Sequence, residues 1–329
     1  MIFKCKNCGG NTVYSPEHKS MFCRYCDSVN SEVRKHDLYN IQICPECAGE
    51  LVIREYASAM QCPYCDNYII LNERVEGEYL PKKLIPFKYS KNMVKDLLKE
   101  KFKKALFAPT DFLSEARLES MTGEYVPFWM YDYNTHCVYE GEGTKVRSWT
   151  SGNYRYTETS YYRVIRDLNV LYEDIPVDAS LKMADSTMDL MEPYDYKELV
   201  PFAPEYMSGF NGEKYSISSG ELANRAEVKT LESAEKILKQ KLQGYSGLKQ
   251  KVKEVNPSNT AVSYCLLPVW EYIYEYKGEK YPFYVNGQTG KIVGKAPISA
   301  EKVWAYAATL WGILTTLMLL GGFLFTSFM

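Results

Sequence analysis

Eight of the ten cysteines stand in four C-x2-C pairs, Cys5/Cys8, Cys23/Cys26, Cys44/Cys47 and Cys62/Cys65. Paired thiolates at this spacing are metal ligands, because two intervening residues let a tight turn aim both sulfurs at one ion. The pairs combine twice as C-x2-C-x14-C-x2-C, and fourteen residues suffice for a hairpin that brings the second turn opposite the first. Four thiolates close a tetrahedron around Zn2+ and leave no position for a substrate water, so the implied role is structural. Redox exchange is the competing use of C-x2-C, but no thioredoxin-like βαβ pattern surrounds any pair. First pairs joining each other, as in interleaved zinc domains, is the alternative to sequential ligation. Sequential sets are favoured: Cys5, Cys8, Cys23 and Cys26 for one ion, Cys44, Cys47, Cys62 and Cys65 for a second.

The remaining candidates for chemistry are few. His18, His36 and His136 are the only histidines, so neither HExxH nor a histidine-cluster metalloenzyme site can be built. His136 adjoins Cys137, but neighbours in a strand point to opposite faces; Cys265, before Pro268, reads as a core thiol. No GxxxxGK[ST], GxGxxG or GxSxG is present. The chain is expected not to be an enzyme, with no catalytic or cofactor-binding residues beyond the metal ligands.

The elements that position the ligands repeat. The second cysteine set follows the first by 39 residues without a gap, and Gly10, Val13, Met21, Tyr25 and Asp27 recur as Gly49, Val52, Met60, Tyr64 and Asp66. Two zinc ribbons are expected, over 1–39 and 40–80, each too small to fold without its metal. Residues 1–80 hold 8 Lys and Arg against 11 Asp and Glu, and a tetrathiolate zinc carries about −2 more. A phosphate backbone would be repelled, so nucleic acid is disfavoured as a partner and contact with protein is favoured.

An α+β domain is expected over 81–298. Ser90 can cap a helix on which Met93, Val94, Leu97, Leu98, Phe102, Ala105 and Leu106 share one side. Nine lysines and two acids between Lys82 and Lys104 could lay this helix on an anionic leaflet, although packing of its apolar face on a sheet is the favoured reading. Gly123 to about Val177 alternates Tyr, Val, Thr and Trp between Gly and Asn turns, which predicts mainly antiparallel strands. A second helix follows near 220–243, and then strands around Lys277-Gly278 and Asn286-Gly287. Pro127-Phe128-Trp129 and Pro268-Val269-Trp270 each follow a helix and open a Tyr-rich strand, 141 residues apart, a weak sign of internal duplication.

The whole chain of 329 residues has a net charge of −2, which gives no general attraction to nucleic acid or anionic surfaces. The N-terminus lacks the apolar run of a secretory signal. Residues 303–329 carry no charge, and 27 residues exceed the ~30 Å hydrocarbon core at ~1.5 Å per residue. One transmembrane helix is expected there, in contact with membrane lipid. Lys291, Lys295 and Lys302 before it keep the N-terminal bulk cytosolic by the positive-inside rule; a buried core helix is the alternative.

The paired ribbons, IPFKYSKNMVKDLLKEKF, YVPFWMYDY, VPFAPEYMSGFNGEKY, LPVWEYIYEYKGEKYPFYVNGQTGKIVG and the apolar tail together resemble bacterial TFIIB-type zinc-ribbon-containing membrane proteins. The resemblance spans nearly the whole chain. It implies a non-enzymatic role at the cytoplasmic membrane, alongside stomatin-like (SPFH) proteins and phage-shock-protein-A-like membrane-stress proteins, as their membrane recruiter. With the one expected span, the chain reads as a single-pass membrane-anchored adaptor, whereas relatives are expected to have a longer C-terminal membrane region. A membrane-tethered nucleic-acid-binding protein is the alternative.

Overall fold

A computed structural model describes residues 1–29 and 33–327, with side chains as far as Met318. The first cysteine unit holds β1 (Ile2–Cys5), β2 (Thr12–Ser15), β3 (Ser20–Cys23) and β4 (Val33–His36), paired as the antiparallel ladders β1–β4 and β2–β3. The second holds β5 (Ala57–Gln61) and β6 (Tyr68–Ile70). There follow β7 (Lys83–Leu84), α1 (Lys91–Phe102), α2 (Glu115–Leu118), β8 (Thr122–Ser151), β9 (Tyr154–Asp178), α3 (Asp185–Met191) and β10 (Val200–Pro201). The chain then forms β11 (Asn211–Glu213), α4 (Ser219–Lys241), β12 (Gly247–Tyr276), β13 (Glu279–Asn286), β14 (Ile292–Val293) and α5 (Ala300–Ser327). Helices and a mainly antiparallel sheet make the architecture α+β.

Ten strands form one sheet in the order β10-β7-β12-β8-β11-β5-β6, with β9 on β8, β13 on β12 and β14 on β13. β5 and β6 belong to this sheet, because β5 pairs with β11 (Ala59 opposite Gly212). The break expected at residue 80 is therefore not a break in the sheet: ribbon 2 is an edge of the main domain. Ribbon 1 docks beside it through Tyr14 N donating to Ser208 O at 2.7 Å and Ser208 Oγ donating to Thr12 O at 2.7 Å.

The several strands expected over 123–177 are two, β8 and β9, of 30 and 25 residues, against ~5–6 for a typical strand. Their only turn is Gly152-Asn153, with Gly152 at φ +61°. Gly141 and Gly143 lie inside β8 without breaking it, because they serve close approach: a Cβ on Gly141 would stand 2.6 Å from Lys249 O, and one on Gly143 2.5 Å from the Tyr245 ring. α4, capped reciprocally by Ser218 and Glu221, packs Leu238 and Leu242 against Tyr139 and Val164. Beyond it the β8–β9 hairpin is exposed, with Val146, Trp149, Tyr154 and Tyr156 all open to solvent.

The Pro-Phe-Trp and Pro-Val-Trp segments mark a repeated arrangement. Each half consists of a short strand, a capped helix, a long strand and a return strand: β7, α1, β8, β9 and then β11, α4, β12, β13. The halves are interlocked. β7 runs parallel to β12 at Cys265 and Leu266, while β11 runs parallel to β8 at Glu124 and Tyr125. Trp129 Nε1 donates to Ile217 O, just before the α4 cap Ser218, and Trp270 Nε1 donates to Tyr89 O, just before the α1 cap Ser90, both at 2.9 Å. Ala179 N donates to Pro127 O at 3.0 Å, and Gly287 N to Pro268 O at 2.9 Å. These matched bonds are what the two three-residue motifs preserve.

α1 buries Val94 and Leu98 on the core, as the packed reading requires. Its lysines are partly neutralised from α2: Lys95 and Lys99 pair with Glu115, and Lys91 and Lys95 with Glu119. Asn286-Gly287 is not a two-residue hairpin turn. The turn runs on to Lys291, whose carbonyl accepts from Asn286 N at 2.9 Å.

The transmembrane helix expected over 303–329 is not shown among the described residues. A helix is present, α5, but among the described residues no helix is long and apolar enough to cross a membrane. The charge-free part with described side chains is Val303 to Met318, ~24 Å at 1.5 Å per residue, which falls short of a ~30 Å core. The side chains of 319–329 in that expected span lie outside the described residues. α5 starts at the end of the sheet opposite the β8–β9 tip, held by Lys302 Nζ on Ala108 O (2.7 Å) and by Lys277 on Glu301 (3.3 Å).

Candidate metal centres

The backbone builds all four cysteine turns alike. In each, the amide of the first cysteine donates to the carbonyl five residues on: Cys5 to Gly10, Cys23 to Ser28, Cys44 to Gly49 and Cys62 to Asn67, at 2.7–3.1 Å. The residue four after that cysteine is left-handed in every case: Gly9 (φ 76°), Asp27 (53°), Ala48 (58°) and Asp66 (57°). Glycine and aspartate suit this conformation, and the recurrence of Asp27 as Asp66 follows from it.

Gly10 and Gly49 recur for a different reason. A Cβ on Gly10 would stand 2.4 Å from Cδ2 of Tyr25, and one on Gly49 2.4 Å from Cδ2 of Tyr64. The tyrosine of each second turn lies across the glycine of the first and holds the two turns together. Sequence reading registers both residues of this pair in the repeat, but not their contact.

The eight ligand candidates converge as two sequential groups, Cys5, Cys8, Cys23, Cys26 and Cys44, Cys47, Cys62, Cys65, with the sulfurs of each group within 4.8 Å of one another. Across the sites, Cys5–Cys26 and Cys8–Cys23 are 3.8 and 3.5 Å apart, and Cys44–Cys65 and Cys47–Cys62 are 3.7 and 3.8 Å apart. A tetrahedral thiolate site with ~2.3 Å bonds has sulfur–sulfur edges of ~3.8 Å, whereas a disulfide needs ~2.05 Å. The donor set fits a metal ion, and the residues are positioned to hold two. The Ser28 hydroxyl, 2.9 Å from Cys26 Sγ, draws that thiol down to about 6.

Cys8 and Cys47 are exposed while Cys5, Cys23, Cys44 and Cys62 are buried, so each centre has an inner pair and an outer edge. The centres differ in their surroundings. Cys44 and Cys62 pack with Leu51, Ile69 and Leu71 into a core continuous with Ile2, and β5 of the same ribbon carries the edge of the large sheet.

The other sequence candidates are not gathered into a site. His136 is exposed and paired with Asp167 at 2.8 Å, while the adjacent Cys137 is buried on the other face, its thiol pushed up by burial. Cys265 is buried, its thiol likewise raised by burial, to about 11.

No protein-family model and no solved structure matches the chain. An uncharacterized protein of Bacillus subtilis (strain 168), YdjG, is similar to it at 40% identity over 337 aligned positions, covering 98% of this chain and 99% of the relative. Identity at that level across both chains makes this protein a member of the family that includes Bacillus subtilis YdjG.

Proposed function

We propose that the chain is a membrane-anchored adaptor of the TFIIB-type zinc-ribbon class, which holds protein partners at the cytoplasmic membrane from the cytosolic side. The observation that carries this reading is the β8–β9 hairpin beyond α4. A two-stranded ribbon is marginally stable in water on its own, and this one exposes Trp149, Tyr154, Tyr156 and Tyr161, with Trp149 and Tyr156 stacked on each other at 5.7 Å. Exposed aromatics on a projecting element serve recognition. Stomatin-like or phage-shock-protein-A-like proteins are the partners that the family resemblance suggests.

The anchor in this reading is residues 303–329. Trp304, Trp311, Leu314, Leu317 and Met318 are all exposed on α5, and so many exposed apolar side chains on one helix call for a lipid or protein cover. The metal is zinc, which suits closed four-thiolate sites, and its role is to fold the ribbons. Cys23→Ser or Cys62→Ser is expected to lower bound zinc from two ions to one, read by metal analysis of the purified protein; retention of both would count against sequential ligation.

The adaptor reading is tested by placing a photo-crosslinker at Tyr156 in native membranes and identifying adducts by mass spectrometry. Recovery of a stomatin-like or phage-shock-type protein supports it; an adduct-free chain counts against it. The nucleic-acid alternative draws on one observation. Lys145, Arg147 and Arg155 lie beside the exposed aromatics of the same hairpin, where Arg147 rests 5.8 Å from the Trp149 ring. Salt-dependent binding of RNA or DNA, lost on Arg147→Glu, would favour it.

A further inference from the structure

A cleft of about 670 Å³ opens between ribbon 2 and the sheet, a size typical of small-ligand sites. Its wall on one side is the ribbon itself, Val52 to Asp66 including Cys62; on the other stand Leu181 and Lys182, with β11 and Glu124 between them. The mouth is apolar, since Val52 and Leu181 are both exposed. The interior is charged. Glu124 and Glu213 line it and are buried, 4% and 9% exposed.

The carboxylates outnumber the cations that could serve them. Lys182 is already shared between Glu124 and Glu271, the latter at 3.1 Å. Glu213 has no basic group within ion-pair distance among the described residues, although the Lys182 ammonium is close enough to interact with it; Ser180 Oγ donates to its Oε2 at 2.6 Å, and its Oε1 has no hydrogen-bond donor there. A carboxylate nine-tenths buried without a direct ion pair is costly, and here it faces a cleft open to solvent. Burial also holds Glu124 up to about 7, an effect that the nearby ammonium of Lys182 only partly offsets. Arg54, the other base on the lining, is exposed at the rim.

We infer that this cleft binds an alkylammonium group, with the cation against Glu213 and the aliphatic stem between Met60, Val52 and Leu181. Anions are disfavoured, because the only interior cation is committed to two carboxylates. The inference stands apart from the adaptor reading, which rests on the far end of β8 and β9. A lysine side chain of another protein and a free polyamine share this chemistry.

The test uses the full chain in detergent with methyl-labelled methionine, and follows the Met60 signal during titration with 1,5-diaminopentane, with a capped lysine peptide and with glutarate. Saturable binding of either amine is expected, weakened at least about tenfold in Glu213→Gln, with no response to glutarate. Tighter binding of the diamine assigns a free polyamine; tighter binding of the peptide assigns a protein lysine. A Met60 signal unmoved by both amines, equal binding of glutarate, or unchanged affinity in a folded Glu213→Gln protein would each overturn the inference.

Discussion

The two interlocked halves share their bonding scheme and differ at one buried position. Phe128 is opposite Asp178 in the first half, and Val269 is opposite Asn286 in the second. Both side chains are essentially inaccessible, at 1% and 0%, and both use Oδ1 to accept from the amide two residues on, Ser180 N at 3.2 Å and Gln288 N at 2.9 Å. The remaining atom separates them. Asn286 Nδ2 donates to Met191 O at 3.1 Å, whereas Asp178 Oδ2 has no hydrogen-bond partner among the described residues. Both polar atoms of the amide are hydrogen-bonded and only one of the carboxylate's is, so the same turn is stabilising in one half and under electrostatic load in the other.

The largest effect in this comparison is expected from Asn286→Asp. The new oxygen would face the Met191 carbonyl in a dry environment, at a cost of roughly 3 kcal/mol or more near neutral pH. Denaturant unfolding should show this loss, with recovery towards pH 4 as the carboxyl takes a proton and donates in place of the amide.

The converse change sharpens the same contrast. Burial, only partly offset by the Ser180 amide, raises Asp178 to about 7. The folded state therefore holds a proton on Asp178 where the unfolded chain has already lost it, and this group's contribution to stability falls as pH rises from about 4 to 7. Asp178→Asn removes that dependence. It should be more stable than the parent by about 1–3 kcal/mol at pH 8, with the gain gone near pH 4; a gain independent of pH would show that the load on Asp178 is not its charge.

Smaller effects are expected at the matched tryptophans. Trp270→Phe and Trp129→Phe each lose one hydrogen bond to the carbonyl before a helix cap, worth about 1 kcal/mol. The Trp270 change should cost more, because that ring is buried and edges onto Phe87 and Phe210. The smallest effect is expected from replacing residues 146–159 with a two-residue Asn-Gly turn. The second half has its short turn already, at Lys277-Gly278, with φ of 53° and 82°, and shortening the first should move the thermal midpoint by no more than about 2 °C.

How much of this was legible in the sequence depends on how local its cause is. The cysteine turns were readable, because each is closed by bonds within six residues and the ligand spacing carries the geometry. α4 was expected near 220–243 and runs from Ser219 to Lys241, its cap and apolar phase being local too. The Ser90 cap likewise fell where expected. The lengths of β8 and β9 were not legible, since a glycine that admits a neighbour's backbone reads the same as one that turns the chain. Nor was the merger of ribbon 2 with the sheet, because β5 finds its partner β11 some 150 residues away. The duplication stood out only as two tripeptides, because its bonds are mostly backbone to backbone and place little demand on side-chain identity. Lys182 and its carboxylates carried no signal at all, as they come from segments far apart in sequence.

The length of β8 and β9 has a mechanical consequence. The sheet joins α5 at one end and projects its hairpin from the other, with ~80 Å of paired strand along β9 at ~3.3 Å per residue. A tilt of ~5° at the α5 end swings the far tip through ~7 Å, about two residues of strand. The arm is a lever, and a small change in how the base is seated becomes a displacement at the tip large enough to bring a neighbour into register or carry it out of reach.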